Sequence, residues 1–73
     1  MIRTDILNFL ERAETCVARA DKALARQRES IEKLREMGSD MTTAEQALRE
    51  LEKAQAKFIA NREALLDQLA RCS

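Results

Sequence analysis

The segment MGSDMT, at positions 37–42, separates two long stretches that share one seven-residue repeat of apolar side chains. Gly38 is the only glycine in the chain, and it follows directly after the first stretch. A helix commonly ends at a residue with positive φ, which glycine adopts without steric cost. Gly38 is therefore predicted to end one helix in a left-handed C-cap.

A capping box is predicted at the start of the second helix. Thr42 and Glu45 have the required spacing, and Thr43 with Gln46 offers a second frame. The N-cap of this helix is therefore expected at Thr42 or Thr43, directly after the turn.

The stretch before the turn has the seam of a heptad repeat, because its apolar or small residues recur at alternating steps of four and three. The seam consists of Ile6, Leu10, Ala13, Val17, Ala20, Leu24, Gln27, Ile31 and Leu34. A flanking column adds Ile2, Phe9, Cys16 and Ala23. This apolar stripe is wider than a two-stranded seam needs. The first helix, predicted over about 2–37, is therefore expected to contact more than one neighbour.

The stretch after the turn continues the repeat over a second helix, predicted at about 43–71. Its seam consists of Ala44, Leu48, Leu51, Gln55, Phe58, Arg62, Leu65, Leu69 and Cys72. Ile59 and Leu66 widen the stripe on one side. A short turn, predicted over 38–42, makes the helices run antiparallel. The chain, 1–73, is therefore predicted to be a single all-α domain, an antiparallel helical hairpin.

The register follows if positions are paired about Met41. This pairing sets Val17 against Leu65 and Gln27 against Gln55. The two glutamines are then expected to form one polar layer in the core that fixes the alignment of the helices.

The same register makes two further predictions. The guanidinium of Arg62, which lies in the seam, is expected to reach Asp21 or an acidic residue of another chain. The first helix is expected to extend about one turn beyond the second, which leaves Ile2, and in part Ile6, uncovered.

Self-association is expected from the size of the chain. A core of fewer than about 70–80 residues rarely supplies more than about 3–5 kcal/mol, and this chain of 73 residues has two cysteines and no histidine. A second hairpin would cover the apolar flanks and form a homodimeric four-helix bundle. The predicted dimer interface consists of Ile2, Ile6, Phe9, Cys16, Ala23, Ile59 and Leu66.

The composition argues against several functions. The 13 basic and 13 acidic residues cancel, so no global field attracts nucleic acid or an anionic membrane. No apolar run reaches the length of a membrane-spanning helix, and the first residues lack the order of a signal peptide. The cysteines are accordingly expected to be reduced thiols in the cytoplasm.

No catalytic constellation is found in the sequence. The absence of histidine excludes triads of the Ser-His-Asp and Cys-His kinds, and a single glycine excludes a phosphate-binding loop. The chain is therefore predicted not to be an enzyme and to hold no metal or cofactor.

A basic ridge runs along one side of the first helix. It consists of Arg12, Arg19, Arg26 and Lys33, which recur every seven residues. Acidic residues flank this ridge, and pairs such as Glu29–Lys33 have the spacing of helical ion pairs. A solvated, internally paired face is the first interpretation. A nucleic-acid-binding regulator that uses the basic ridge is the alternative.

The stretch ARQRESIEKL at 25–34, followed by GSDMTTAE at 38–45, resembles a family of small alphaproteobacterial proteins that share a Gly-x-Asp turn. This chain has an additional Met41 before Thr42. The resemblance implies a helical hairpin in a bacterial cytosol, and it transfers no activity or functional residue. The predicted function is therefore a protein–protein interaction or assembly module that acts as a homodimer, with an additional protein partner left open.

Overall fold

The computed structural model describes residues 2–72, which form two long helices packed against each other with no strand among them. α1 spans Arg3–Glu36 and α2 spans Thr42–Arg71. The molecule measures 55 × 14 × 12 Å. This helical hairpin confirms the predicted all-α fold, and each helix begins and ends within one residue of its predicted limit.

Gly38 terminates α1 in the left-handed conformation that the sequence predicted. Gly38 has a φ of 70°. Its N–H donates to the Arg35 carbonyl at 3.1 Å, and the Ser39 N–H donates to the Leu34 carbonyl at 2.9 Å. These two hydrogen bonds form a Schellman motif, which satisfies carbonyls that the helix itself leaves without donors. The left-handed C-cap is therefore confirmed.

The N-cap residue of α2 is Met41, which makes no side-chain cap hydrogen bond, so the predicted capping box is wrong; Asp40, one residue earlier, caps the first N–H of the helix instead. The Asp40 Oδ1 accepts the Thr42 N–H at 3.0 Å and the Thr42 hydroxyl at 2.7 Å. Thr42 is already the first helical residue, and its hydroxyl acts as a donor rather than as the acceptor that a cap requires. The carboxylate two residues earlier supplies that acceptor instead.

This cap is expected to make the stability of the hairpin depend on pH. The Thr42 N–H, followed by the Thr42 hydroxyl, lowers the pKa of Asp40 below its ordinary value. The stabilisation is therefore present above the ordinary aspartate pKa of about 4 and is lost as the pH falls through the lower pKa of the folded state. In Asp40→Asn, the amide oxygen accepts the same hydrogen bonds without titrating.

The expected result is that the melting temperatures of the two proteins are similar at neutral pH and diverge below about pH 4, where the wild type loses more. Circular dichroism melts between neutral and acidic pH measure the difference. Asp40→Ala should be less stable than both at neutral pH. Identical pH profiles for wild type and Asp40→Asn would contradict the cap.

The core is contributed unequally by the two helices. Seven of the eight buried apolar residues lie on α1, and only Leu65 lies on α2. The seam of α1 contains small residues such as Ala13, which packs with Leu65. A small side chain of α1 is fully covered by a larger side chain of α2, and part of the larger side chain remains in contact with water. Phe58 accordingly remains 36% exposed, although it lies in the seam.

The register differs from the one predicted about Met41. Leu65 packs with Leu10 and Ala13, and Leu69 contacts the same cluster. The predicted partner of Leu65 was Val17, which lies seven residues after Leu10. The helices are therefore displaced by about one heptad from the predicted alignment, and α2 reaches further toward the N-terminus of α1.

The predicted polar layer is corrected by the same displacement. Gln55 donates from Nε2 to the Asp21 carboxylate at 2.6 Å, while Gln27 donates from Nε2 to the Ala44 carbonyl at 2.9 Å. Both glutamines lie partly buried at the helix interface. They make two separate hydrogen bonds between the helices, in place of one facing pair.

The predicted contact of Arg62 with Asp21 is also wrong, whereas a contact with an acidic residue of another chain stays a prediction. Arg62 contacts Glu63, with Nη2 and Oε1 3.3 Å apart, and Asp21 is occupied by Gln55. The expected overhang of α1 is also wrong for Ile6, which is only 1% exposed. The shift brings α2 alongside the first turns of α1, where it covers this side chain.

Candidate interaction surfaces

A hairpin of two helices is a layer with two broad faces, and the heptad positions assign residues to each. Within the seam, Leu10 and Val17 of α1 and Leu48 and Gln55 of α2 occupy position a, and the residue three after each a residue occupies position d. Position g precedes each a residue, and position e follows each d residue. Reversing a helix reverses the order of its columns around the axis. In antiparallel helices the two g columns therefore share one face, and the two e columns share the other.

The Phe9 face is the face that carries the g columns. It consists of Phe9, Cys16 and Ala23 from α1, with Ala47 and Ala54 from α2. Phe9 is 43% exposed, and Cys16, Ala23 and Ala54 are half-buried. This face therefore has small side chains along the middle of the hairpin, with the exposed Phe9 ring near the end that lies away from the turn.

The Leu66 face is the opposite face and carries the e columns. Its apolar residues are Leu7 from α1 and Ile59 and Leu66 from α2. Leu66 is 39% exposed, and Ile59 is half-buried. The hydrogen bond from Gln55 to Asp21 lies on this side of the seam, which agrees with the assignment.

The predicted dimer interface is therefore not one continuous surface. Its α1 residues Phe9, Cys16 and Ala23 lie on the Phe9 face, whereas its α2 residues Ile59 and Leu66 lie on the Leu66 face. The prediction placed one uncovered flank on each helix and did not specify whether the two flanks share a face of the hairpin.

The two most N-terminal members of that predicted interface separate as well. Ile6 is buried inside a single hairpin and has no surface to offer a second chain. Ile2 precedes α1 and is well exposed.

The basic ridge borders the Phe9 face on the outer side of α1. Its residues occupy position c, which is adjacent to position g around the helix. The Arg12 guanidinium lies over the Phe9 ring, 5.9 Å from the ring centroid. Within residues 2–72 none of Arg12, Arg19, Arg26 and Lys33 makes an ion pair. The predicted internal pairing of the ridge is therefore wrong.

The remaining ionic contacts are elsewhere on the surface. Glu32 pairs with Arg35 at 2.6 Å. Asp67 pairs with Arg71 at 2.7 Å. Both pairs are well exposed, and such pairs contribute only about 0–1 kcal/mol to folding.

Catalytic or metal-binding geometry is not found in the part of the chain that the structure describes. No group of three or more potential metal ligands forms among residues 2–72, and no disulfide joins Cys16 to Cys72. A depression beside the basic ridge is lined only by α1 residues such as Thr15 and Arg19. It is a groove between side chains of one helix. No helix within residues 2–72 has the length and apolar character needed to cross a bilayer.

Comparisons with protein-family models, curated proteins and solved structures find no match to this chain. The two broad faces and the basic ridge are therefore the features of this molecule that bear on its function.

Proposed function

We propose that this protein is an interaction and assembly module that acts by associating with copies of itself, the smallest assembly being a homodimeric four-helix bundle. The observation that supports this proposal is the pair of partly exposed apolar columns, one on each broad face. Phe9 and Leu66 are large apolar side chains that their own hairpin leaves in contact with water. A second hairpin laid on either face would remove such side chains from water.

The surface area of the hairpin supports the same proposal. The chain of 8.3 kDa exposes 5528 Å², whereas a compact monomer of that mass exposes about 4,600 Å². The excess of about 930 Å² is comparable to the roughly 800 Å² that each partner buries in a stable complex. The hairpin is a single layer of two helices, and both of its broad faces are exposed to water. Stacking two hairpins covers one face of each and so reduces the exposed area.

The proposed site of action is the bacterial cytoplasm. This proposal draws on the family resemblance of the central segment. The module would work through protein contacts, without catalysis and without a cofactor. An additional protein partner remains compatible with two uncovered faces.

Self-association is tested by sedimentation and by thermal melts over a range of concentrations. We expect a dimer or larger species at micromolar concentration and a melting temperature that rises with concentration. The double variant Phe9→Ser and Leu66→Ser should weaken association, because it removes one exposed apolar anchor from each face. Ala60→Ser lies on the outward side of α2 and serves as the control. A wild-type monomer at all concentrations would refute the proposed function.

Nucleic-acid binding through the basic ridge is the second candidate, and one observation favours it. Arg12, Arg19, Arg26 and Lys33 are all free of ion pairs within residues 2–72, so their charges are available to phosphates. A binder of this kind should keep nucleic acid through purification at low salt and lose it steeply as salt rises. Protein that purifies without nucleic acid at low salt would remove this candidate.

A further inference from the structure

The two broad faces of the hairpin carry opposite charge, although the chain as a whole is neutral. Around each helix, position c lies next to position g and therefore borders the Phe9 face. Positions g and c together hold six cations against the two carboxylates of Asp5 and Glu50. The cations are Arg12, Arg19, Arg26, Lys33, Lys57 and Arg71. The Phe9 face is therefore basic.

The Leu66 face is acidic by the same assignment, because position b lies next to position e. The carboxylates nearest its apolar residues are those of Glu14, Asp21, Glu45 and Glu52. Three more follow in position b, which makes seven carboxylates against three arginines on this face. The overall balance of 13 basic and 13 acidic residues therefore hides a molecule with two oppositely charged faces.

Little of this charge is neutralised within the hairpin. The four residues of the basic ridge make no ion pair within residues 2–72, and the same holds for Glu14, Glu45 and Glu52 on the opposite face. Asp21 accepts a hydrogen bond from the uncharged Gln55. Each face therefore presents charge that a partner of opposite sign would satisfy.

We infer that copies of this chain stack through unlike faces, with the basic Phe9 face of one copy on the acidic Leu66 face of the next. This inference rests on the proposed self-association and specifies which surfaces meet. In such a stack the exposed Phe9 ring and the small side chains of one copy face Leu7, Ile59 and Leu66 of the other. The Arg12–Lys33 ridge then lies against carboxylates.

Symmetry gives the reason why unlike faces pair. A two-fold axis between stacked hairpins would lay one Phe9 face on another, or one Leu66 face on another. Either arrangement brings like charges together, which opposes association. Stacking through unlike faces avoids this repulsion, and it leaves one basic and one acidic face free at the ends. Further copies can then add, so the assembly grows with concentration beyond the dimer.

A charge-reversal mixing experiment tests the inference. One variant, Arg12→Glu with Arg19→Glu, leaves the Phe9 face with four cations and four carboxylates, and therefore without net charge. The other, Glu14→Lys with Glu52→Lys, leaves the Leu66 face with five carboxylates and five cations, and therefore without net charge. Each variant alone should lose the sedimenting assembly at concentrations where the wild type forms it. Mixing the two in equal amounts should restore pairing, because the unaltered basic Phe9 face of the second variant then meets the unaltered acidic Leu66 face of the first.

Matched controls carry the same net charge on the outward columns. They are Lys22→Glu with Lys53→Glu and Glu29→Lys with Glu36→Lys, and each alone should retain more assembly than the corresponding face variant. Raising the salt from about 0.05 M to about 1 M should weaken wild-type assembly, because the screening length falls to about 3 Å.

The outcomes separate this inference from the proposed function. If wild type assembles but each face variant assembles as well as its control, pairing through unlike faces is refuted and self-association stands. Failure of mixing to restore pairing would also refute it. A wild type that never assembles would refute the proposed function itself.

Discussion

Leu24→Ala is expected to lower the free energy of unfolding by about 3 kcal/mol, within the range of roughly 2–5 kcal/mol for buried leucines. Leu24 is 1% exposed and is one of the two largest fully buried side chains in the hairpin. Its replacement removes apolar contacts and leaves a cavity that two straight helices cannot readily close. Because a chain of this size rarely has more than about 3–5 kcal/mol of stability, the variant should retain only about 0–2 kcal/mol.

Urea titration followed by far-ultraviolet circular dichroism measures this loss. Leu7→Ala is the matched control, since it makes the same chemical change on the same helix at a side chain that is 43% exposed. It should lose less than half as much stability as Leu24→Ala. Equal losses in the two variants would contradict the burial of Leu24 and the packing of the seam.

Gly38→Ala is expected to give the second-largest effect, a loss of about 1 kcal/mol. A residue with a Cβ atom pays about 1–2 kcal/mol in the left-handed conformation, and the φ of Gly38 is 70°. Alanine regains part of this by restricting the unfolded chain, by about 0.4–1 kcal/mol. A Cβ atom at this position would meet nothing within 4 Å. The loss therefore comes from the backbone alone.

Gly38→Asn is the informative comparison, because asparagine enters the left-handed region more readily than alanine. Urea titration should rank the three proteins as glycine, asparagine and alanine in decreasing stability. An alanine variant as stable as the wild type would show that the turn does not depend on the left-handed residue at this position.

The parts of the fold that depend on local sequence were predictable. Gly38 could be identified as a C-cap because conformational preference acts within one residue and its neighbours. The two helices could be located because their apolar side chains follow a heptad repeat. The N-cap was also a local feature, but Asp40 was missed. The Thr42 hydroxyl was assumed to accept a hydrogen bond, and it donates one to Asp40 instead.

The register could not be predicted from the repeat, for a physical reason. Moving one helix by seven residues places apolar seam positions against apolar seam positions again, so both alignments satisfy the pattern. The alignment is shown by the packing of Leu65 with Leu10 and Ala13, which are distant from it in sequence. Arg62 and Gln55 then meet partners different from those the sequence suggested.

The candidate surfaces were also predictable only in part from the sequence. The exposed members Phe9, Leu66 and the basic ridge could be identified from their columns, because helical periodicity assigns each residue to a side of its own helix. Which columns share a face depends on the direction of the second helix. The separation of a basic Phe9 face from an acidic Leu66 face was therefore not seen in a chain whose total charge is zero.

The sequence by itself determined that this chain forms two amphipathic helices joined at Gly38, since these features arise from interactions between near neighbours along the chain. Only the tertiary structure decided the alignment of those helices, the burial of Ile6 and the division of the surface into two faces. These depend on which residues distant in sequence become adjacent, and a seven-residue repeat satisfies several such arrangements equally well.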